Sequence, residues 1–373
     1  MDVTGGIYIH VPFCRTRCIY CDFYSTTNSE EWRSLYVDAL IRELTCRHSE
    51  ASFSRVHSIY IGGGTPSLLE PQHLLRIFHF LESFFSFTDE AEITLEANPD
   101  DVTGDWLLAL RDTPVNRISI GVQSLDDDLL RTIRRRHTAR QALDAVDAFR
   151  DNGYQNISVD LIYGLPGQTL TSWQQDVRRV LDLQILHLSA YALQVEEGTR
   201  LKKMIERDEL SEADEELSLE MYERLLDETA GAGMAHYEIS NFCIPGFHSR
   251  HNLGYWHQLP YLGLGPGAHS YDGKACRRWN LPGLRAYVES VGDVPHDGEE
   301  LDENELYDEL VMTRLRTQEG LPLNLLNASQ REYCLKMAGV HLQNGRLTQK
   351  NDHLCLTRRG IFVSDDIMSD LMR

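Results

Sequence analysis

The stretch "GIYIHVPFCRTRCIYCDFYS" (residues 6–25) joins a strand pattern to three cysteines within eight residues. Ile7, Ile9 and Val11 alternate with Tyr8 and His10, the period of a β-strand. Cys14, Cys18 and Cys21 follow at C-x3-C-x2-C spacing on the loop that leaves this strand, and Phe23 stands where a further cysteine would extend the set. Zinc takes four ligands, so His10 or a distant cysteine would have to complete a zinc site. A cuboidal iron–sulfur cluster is usually held by four thiolates; three leave one iron open to another ligand.

Outward from this loop, short apolar runs alternate with helical segments. Strands are predicted at "VHSIYIG" (56–62), "AEITLEA" (91–97), "NRISIGV" (116–122), "ISVDLIY" (157–163) and "HLSAYAL" (187–193). Helical spacing runs from about Glu30 to Arg47, from Pro71 onward, from Thr138 to a stop at Gly153, and over "TLTSWQQDVRRVLDL". A longer helix near 213–231 precedes a short strand at "HYEIS". Such alternation implies parallel strands with crossover helices. No early glycine fingerprint opens a dinucleotide site, so the expectation is an α/β fold, a partial or complete β/α barrel, with its chemistry on loops at the C-terminal strand ends. The barrel is expected over residues 1–290. The acidic, turn-rich "VGDVPHDGEELDENE" (291–305) reads as a linker, and 306–373 as a small helical domain with a winged-helix-like hairpin turning at Asn344-Gly345.

The 373 residues carry 36 basic and 57 acidic side chains, a formal charge of −21 that disfavours nucleic acid and anionic membranes as general partners. Neither a membrane-spanning apolar run nor a signal-peptide pattern is found, so a cytoplasmic location is expected. Of eight cysteines, Cys46, Cys243, Cys276, Cys334 and Cys355 are scattered and read as small buried or idle residues rather than a disulfide framework.

C-x3-C-x2-C after the first strand of a β/α barrel resembles the signature of radical SAM proteins. The resemblance implies a [4Fe-4S] cluster on Cys14, Cys18 and Cys21, with S-adenosylmethionine (SAM) on the open iron through its amino and carboxylate groups. An electron from the cluster then cleaves the sulfonium to methionine and a 5′-deoxyadenosyl radical. Four further stretches stand at successive strand ends: "GGGTPS" (62–67), "LEANPD" (95–100), "RISIGVQS" (117–124) and "DLIYGLPGQT" (160–169). With "YIHVPFC" they resemble the subgroup that contains oxygen-independent coproporphyrinogen III oxidase and its relatives, over nearly the whole chain. The resemblance implies that Tyr8, Gly63 and Glu96 hold the cluster-bound SAM. Tyr20, Gly64, Thr65, Gln123, Arg135, Asp160 and Ala192 match positions that bind a second SAM in the oxidase. Taken alone, Glu96 is equally a solvated strand-end carboxylate, and Arg135 equally part of a solvated helix face.

Two departures point away from the oxidase: Phe23 replaces its further cysteine, and the first strand begins almost at residue 6. Both resemble the HemW-type heme chaperones. So does "HNLGYW" (251–256), in which His251 is the implied heme ligand and Tyr255 and Trp256 can stack on a porphyrin. His248, His257 and His269 compete for that role, and core packing of a satisfied histidine is the plain alternative. "YLGLGPGAHS" (261–270) reads as a tight turn at the last barrel strand, which the resemblance brings near the adenine. The expectation is a heme chaperone that binds cluster, SAM and heme and delivers heme to a hemoprotein, using an unidentified reductant and admitting a homodimer. Coproporphyrinogen III oxidase, decarboxylating propionates to vinyls, is the alternative.

Overall fold

Residues 3–27 and 30–373 are described by a computed structural model; Met1 and Asp2, which begin the stretch read for a signal sequence, lie outside them. Ile7, Ile9 and Val11 are fully buried and share a core with Tyr36, Val37 and Leu40 of the helix Arg33–Arg47. The strands β1 (Thr4–Val11), β2 (Arg55–Gly63), β3 (Ser86–Ala97), β4 (Arg117–Gln123), β5 (Asn156–Tyr163) and β6 (His187–Ala192) pair in parallel in that order. Local sequence sets the crossovers. Pro71 opens the helix Pro71–Phe84, where its missing N–H is no loss. Thr138 and Gln141 form a capping box at the start of Ala139–Asp151, and Gly153 leaves that helix with a φ of +96°.

Beyond β6, the short strands β7 (Ala235–Glu238) and β8 (Asn241–Cys243) add an antiparallel edge. The chain then returns to the other side of β1. There β9 (Tyr261–Leu264) pairs with it in parallel, followed by antiparallel β10 (His269–Tyr271), β11 (Cys276–Asn280) and β12 (His296–Glu300). Among the described residues the twelve strands form one sheet, ordered β12-β11-β10-β9-β1-β2-β3-β4-β5-β6-β8-β7, and no ladder joins its two ends.

A buried ionic cluster fixes β9 and the turn that follows it to the helix Arg33–Arg47. The Glu43 carboxylate accepts from Tyr287 Oη at 2.6 Å, Asn280 Nδ2 at 2.6 Å, Gly265 N–H at 2.9 Å and the Arg47 guanidinium. Arg47 also donates to the Gly263 carbonyl at 3.0 Å. Both charges are almost fully buried, where they hold only because every lone pair is matched.

The C-terminal unit has its own core of Tyr307, Val311, Leu315, Cys334, Ala338 and Ile367, among others. It combines the helices Glu303–Leu315, Ala328–Gln343 and Ser364–Leu371 with a small sheet of β13 (Leu321–Pro322), β14 (Leu347–Lys350) and β15 (His353–Leu356). Two expectations are corrected here. The acidic stretch 291–305 is not simply a linker, since it contains β12, whose five residues are all exposed and show no period-two alternation. The hairpin turns at Asn351-Asp352, both with positive φ, rather than at Asn344-Gly345. "GVHLQ" completes a helix, and Gly345, with a φ of +72°, follows its C-cap.

Candidate functional site

The loop after β1 is pinched at its base, where Thr26 N–H donates to the Pro12 carbonyl at 2.7 Å and Cys14 N–H to the Thr26 carbonyl at 2.9 Å. Ile19 anchors its middle among Leu129, Ile133, Ile162, Leu165 and Leu201. The three cysteines are thereby held on the wall of a cavity of about 550 Å³ at the C-terminal ends of β1 to β6. That cavity gathers Cys14, Cys18, Cys21, Tyr20, Gly63, Gly64, Thr65, Glu96, Gln123, Arg135, Asp160 and Ala192, residues picked from stretches far apart in sequence. Tyr8 and His251 are not on its wall. Tyr8 stacks against Tyr60, centroids 6.3 Å apart, and lines a second cavity.

Cys14 and Cys18 meet different neighbours. Thr65 Oγ1 lies 3.6 Å from Cys14 Sγ, and Arg135 Nη1 lies 3.6 Å from Cys18 Sγ. Burial raises the Cys14 thiol above its ordinary pKa and pushes Cys21 up to about 11. Burial thus favours the protonated form of these two thiols, which must lose their protons to bind a metal cluster. Among the described residues no three His, Cys, Asp or Glu side chains converge on a point that would grip a single ion. A cuboidal cluster asks for a wider spread, one thiolate to each iron.

Gly63 has a φ of +106°, and a Cβ there would meet the His10 ring at 2.5 Å. Gly64 packs so closely on β1 that a Cβ would lie 2.7 Å from the Phe13 carbonyl oxygen. The glycine run thus lets β2 turn over β1. The N–H of Gly63 does hold a carboxylate, the protein's own Glu96, at 3.1 Å, while Tyr60 Oη donates to the other Glu96 oxygen at 2.7 Å. Burial pushes the Glu96 carboxyl up to about 7, the nearby Asp160 charge adds to it, and the two hydrogen bonds and Arg117 oppose. Asp160 is also raised by burial and accepts from Ser119 Oγ at 3.1 Å. Gln123, at the end of β4, has a φ of +68°, beside an irregularity in the β4–β5 register. A non-glycine residue in this region is strained, and such strain clusters at ligand sites.

Asn98 went unnamed in the sequence reading although it lies inside "LEANPD". It donates to Thr65 Oγ1 at 3.0 Å and accepts from Arg135 Nη2 at 2.7 Å, tying two cysteine neighbours together. Tyr60 was missed as well, because between Ile59 and Ile61 it reads as ordinary strand. Arg135 is not on a solvated helix face but lines the cavity, bonded to Asn98 and the Gly121 carbonyl.

The second cavity, about 480 Å³, lies between β1, β9, β10 and the helix Glu303–Leu315. Tyr8, Tyr24, Tyr255, Trp256, Tyr261 and Tyr271 supply its aromatic walls. Gly267 and His269, from "YLGLGPGAHS", line this cavity and not the cysteine cavity. Phe23, 62% exposed, lines both cavities. His251, only 3% exposed, sits behind Tyr255. Its Nδ1 pairs with Ser58 Oγ at 3.0 Å and its Nε2 with Tyr255 Oη at 2.8 Å. Burial, with His57 and Arg117 nearby, pushes its pKa down to about 3. In this arrangement His251 offers no free lone pair to the cavity.

A cysteine loop after β1 and a glycine turn after β2, on a parallel β/α fold, define a radical SAM protein. Residues 8–180 match the Radical SAM superfamily and residues 301–363 the HemN C-terminal domain. The coproporphyrinogen III oxidase HemN of Escherichia coli, a radical SAM enzyme, shares the fold. Its TM-score is 0.84 over 100% of this chain and 90% of that one, at 22% identity. The heme chaperone HemW of Mycobacterium tuberculosis (strain H37Rv) is 36% identical over 98% of this chain and 94% of its own length. That of Bacillus subtilis is 35% identical over 84% of each. The mitochondrial radical S-adenosyl methionine domain-containing protein 1 of Danio rerio is 32% identical over 99% of this chain and 87% of its own. The chain belongs to the HemW family of the radical SAM superfamily. No helix among the described residues is long and apolar enough to cross a membrane.

Proposed function

We propose that this chain is a heme carrier of the cytoplasm, which binds a [4Fe-4S] cluster and SAM in the first cavity and heme in the second, and passes heme to an acceptor hemoprotein. The observation that carries this reading is the aromatic cavity adjoining the cysteine cavity across Phe23. It is supported by near full-length similarity to proteins named as heme chaperones. Cys14, Cys18 and Cys21 fit a cluster as three donors on one wall. When bound, the cluster supplies an electron to SAM. Around it, Glu96 accepts hydrogen bonds from SAM, Thr65 and Arg135 steady the thiolates, and Gln123 and Asp160 shape the remaining space. The H-N-x-x-Y-W motif gives Tyr255 and Trp256 to the heme cavity; His251, proposed from that motif for heme, is connected to the cavity through Tyr255.

One observation favours a second reading: the positions matched to a second SAM all line the cysteine cavity, which suits coproporphyrinogen decarboxylation. The test is anaerobic reconstitution of the cluster, followed by hemin titration and, separately, incubation with SAM, reductant and coproporphyrinogen III. Near-stoichiometric heme binding without tetrapyrrole turnover is expected. Repeated formation of protoporphyrinogen would replace the carrier with the oxidase.

A further inference from the structure

The second cavity contains an imidazole that the fold leaves unused. Two other histidines on or behind its walls are fully engaged. His10 donates from Nε2 to the Tyr24 carbonyl at 2.8 Å, so its Nδ1 accepts from Tyr8 Oη at 3.1 Å. His251 is held by Ser58 and Tyr255. His269 is different. It stands on β10, exposed, with its ring stacked on Trp279 at a centroid distance of 5.8 Å and 22° between planes. Among the described residues neither of its ring nitrogens has a hydrogen-bond partner. Its charged neighbours are Arg277, from β11, and Glu299, from β12, with His10 facing it from β1. Partial desolvation and Arg277 lower its pKa against the opposing pull of Glu299. Arg277 is itself bound by Glu309 and lies 3.7 Å from Glu299.

An imidazole without a hydrogen-bond partner among aromatic walls, in a cavity within the size range of small-molecule sites, is what a planar iron porphyrin requires: flat faces to stack on and one nitrogen donor for the metal. We propose that His269, and not His251, is the axial iron ligand of heme in this second cavity. The assignment rests on the heme-carrier reading and sharpens it. His251 can reach iron only by surrendering the Tyr255 hydroxyl and leaving its stack on Tyr60, whose centroid is 5.2 Å away. His269 surrenders only its stack on Trp279.

The test is hemin titration of the full chain carrying its cluster, read by Soret absorption and electron paramagnetic resonance. The proteins compared are the parent, His269→Ala, His269→Met and His251→Ala. Because His269 is exposed, its variants should keep cluster absorption and SAM binding, which report folding. His269→Ala should weaken heme at least about tenfold, a loss of about 1.4 kcal/mol, and shift the Soret band. Added imidazole should restore the parental spectrum, and His269→Met should give a distinct axial signature. His251→Ala, which unpairs the hydroxyl of the cavity-lining Tyr255, should keep the parental axial signature whatever it does to affinity. An unchanged spectrum and affinity in His269→Ala would overturn the assignment, as would loss of the axial signal in His251→Ala alone. If the folded, cluster-loaded parent binds no heme, the carrier reading falls, and this inference falls with it.

Discussion

Exchanging Glu96 for glutamine and following SAM affinity between about pH 6 and about pH 8 tests the electrostatics of the first cavity, because this carboxyl titrates near 7. Above that value Glu96 is an anion, which on the proposed reading accepts hydrogen bonds from the cationic SAM; below it the group is a neutral acid and would have to shed a proton for SAM to bind well. One pH unit below the midpoint only about a tenth of the cavities hold the anion, so affinity should fall about tenfold, or about 1.4 kcal/mol. The groups that face Glu96 are Tyr60, Asp160, Arg117 and the Gly63 N–H. The SAM amine also titrates in this range, but its contribution is common to both proteins and cancels in the comparison. Isothermal titration of anaerobic, cluster-loaded protein gives the four affinities needed. The parent should lose about ten times more affinity on acidification than Glu96→Gln does. Parallel pH profiles for the two proteins would refute the placement of Glu96 against SAM. The same shift has a consequence for the empty protein. Between 4.5 and about 7 the folded chain keeps a proton that the unfolded chain has released. Stability therefore falls as pH rises through that window, by about 3 kcal/mol from this group, and ligand binding offsets the loss.

Replacing Cys14, Cys18 or Cys21 by alanine should in each case abolish the visible absorption of the reconstituted cluster, and its retention in all three variants would overturn the metal reading. Arg135→Met removes the partner of Cys18, Asn98 and the Gly121 carbonyl. Cluster retention under chelator challenge should weaken by about 10–100-fold, as is usual for residues that support metal ligands. Glu43→Gln strips a buried arginine of its main counter-charge and should cost about 3–5 kcal/mol. An unchanged thermal midpoint would show that the cluster around Glu43 does not hold β9 in place.

The cysteine loop and the strands were legible because their signals are local. Ile7, Ile9 and Val11 alternate, Thr138 caps and Gly153 stops a helix, and three cysteines share one loop. The strand-end residues from Gly63 to Asp160 were found through family resemblance, and the parallel order β1 to β6 explains why they meet. Other features carried no local signal. Strand β12 is exposed on every residue, so no alternation marks it, and only its antiparallel pairing with the preceding strand β11 makes it a strand. Asn344-Gly345 looks like a hairpin turn, yet the preceding helix claims it as a C-cap. His269 was one of four competing histidines near the heme motif. Its freedom from hydrogen bonds is a property of what surrounds it, and the chain shows that only once β10 lies between β9 and β11. The family match gives Tyr8 to SAM; its hydroxyl meets His10, while Tyr60, its stacking neighbour, reaches Glu96.

The position of β1 bears on how such a protein is made. Its Gly6 pairs in parallel with Tyr261, and the turn after β9 is tied to Glu43. The far flank of the first strand thus waits until more than two thirds of the chain has left the ribosome, and contacts of such long sequence separation form slowly. The cysteine loop therefore spends most of translation on a half-built scaffold with its thiols open to oxidation. Cluster insertion belongs after synthesis, and in cells this protein's yield should depend more on the supply of assembled clusters at chain release than on its rate of translation.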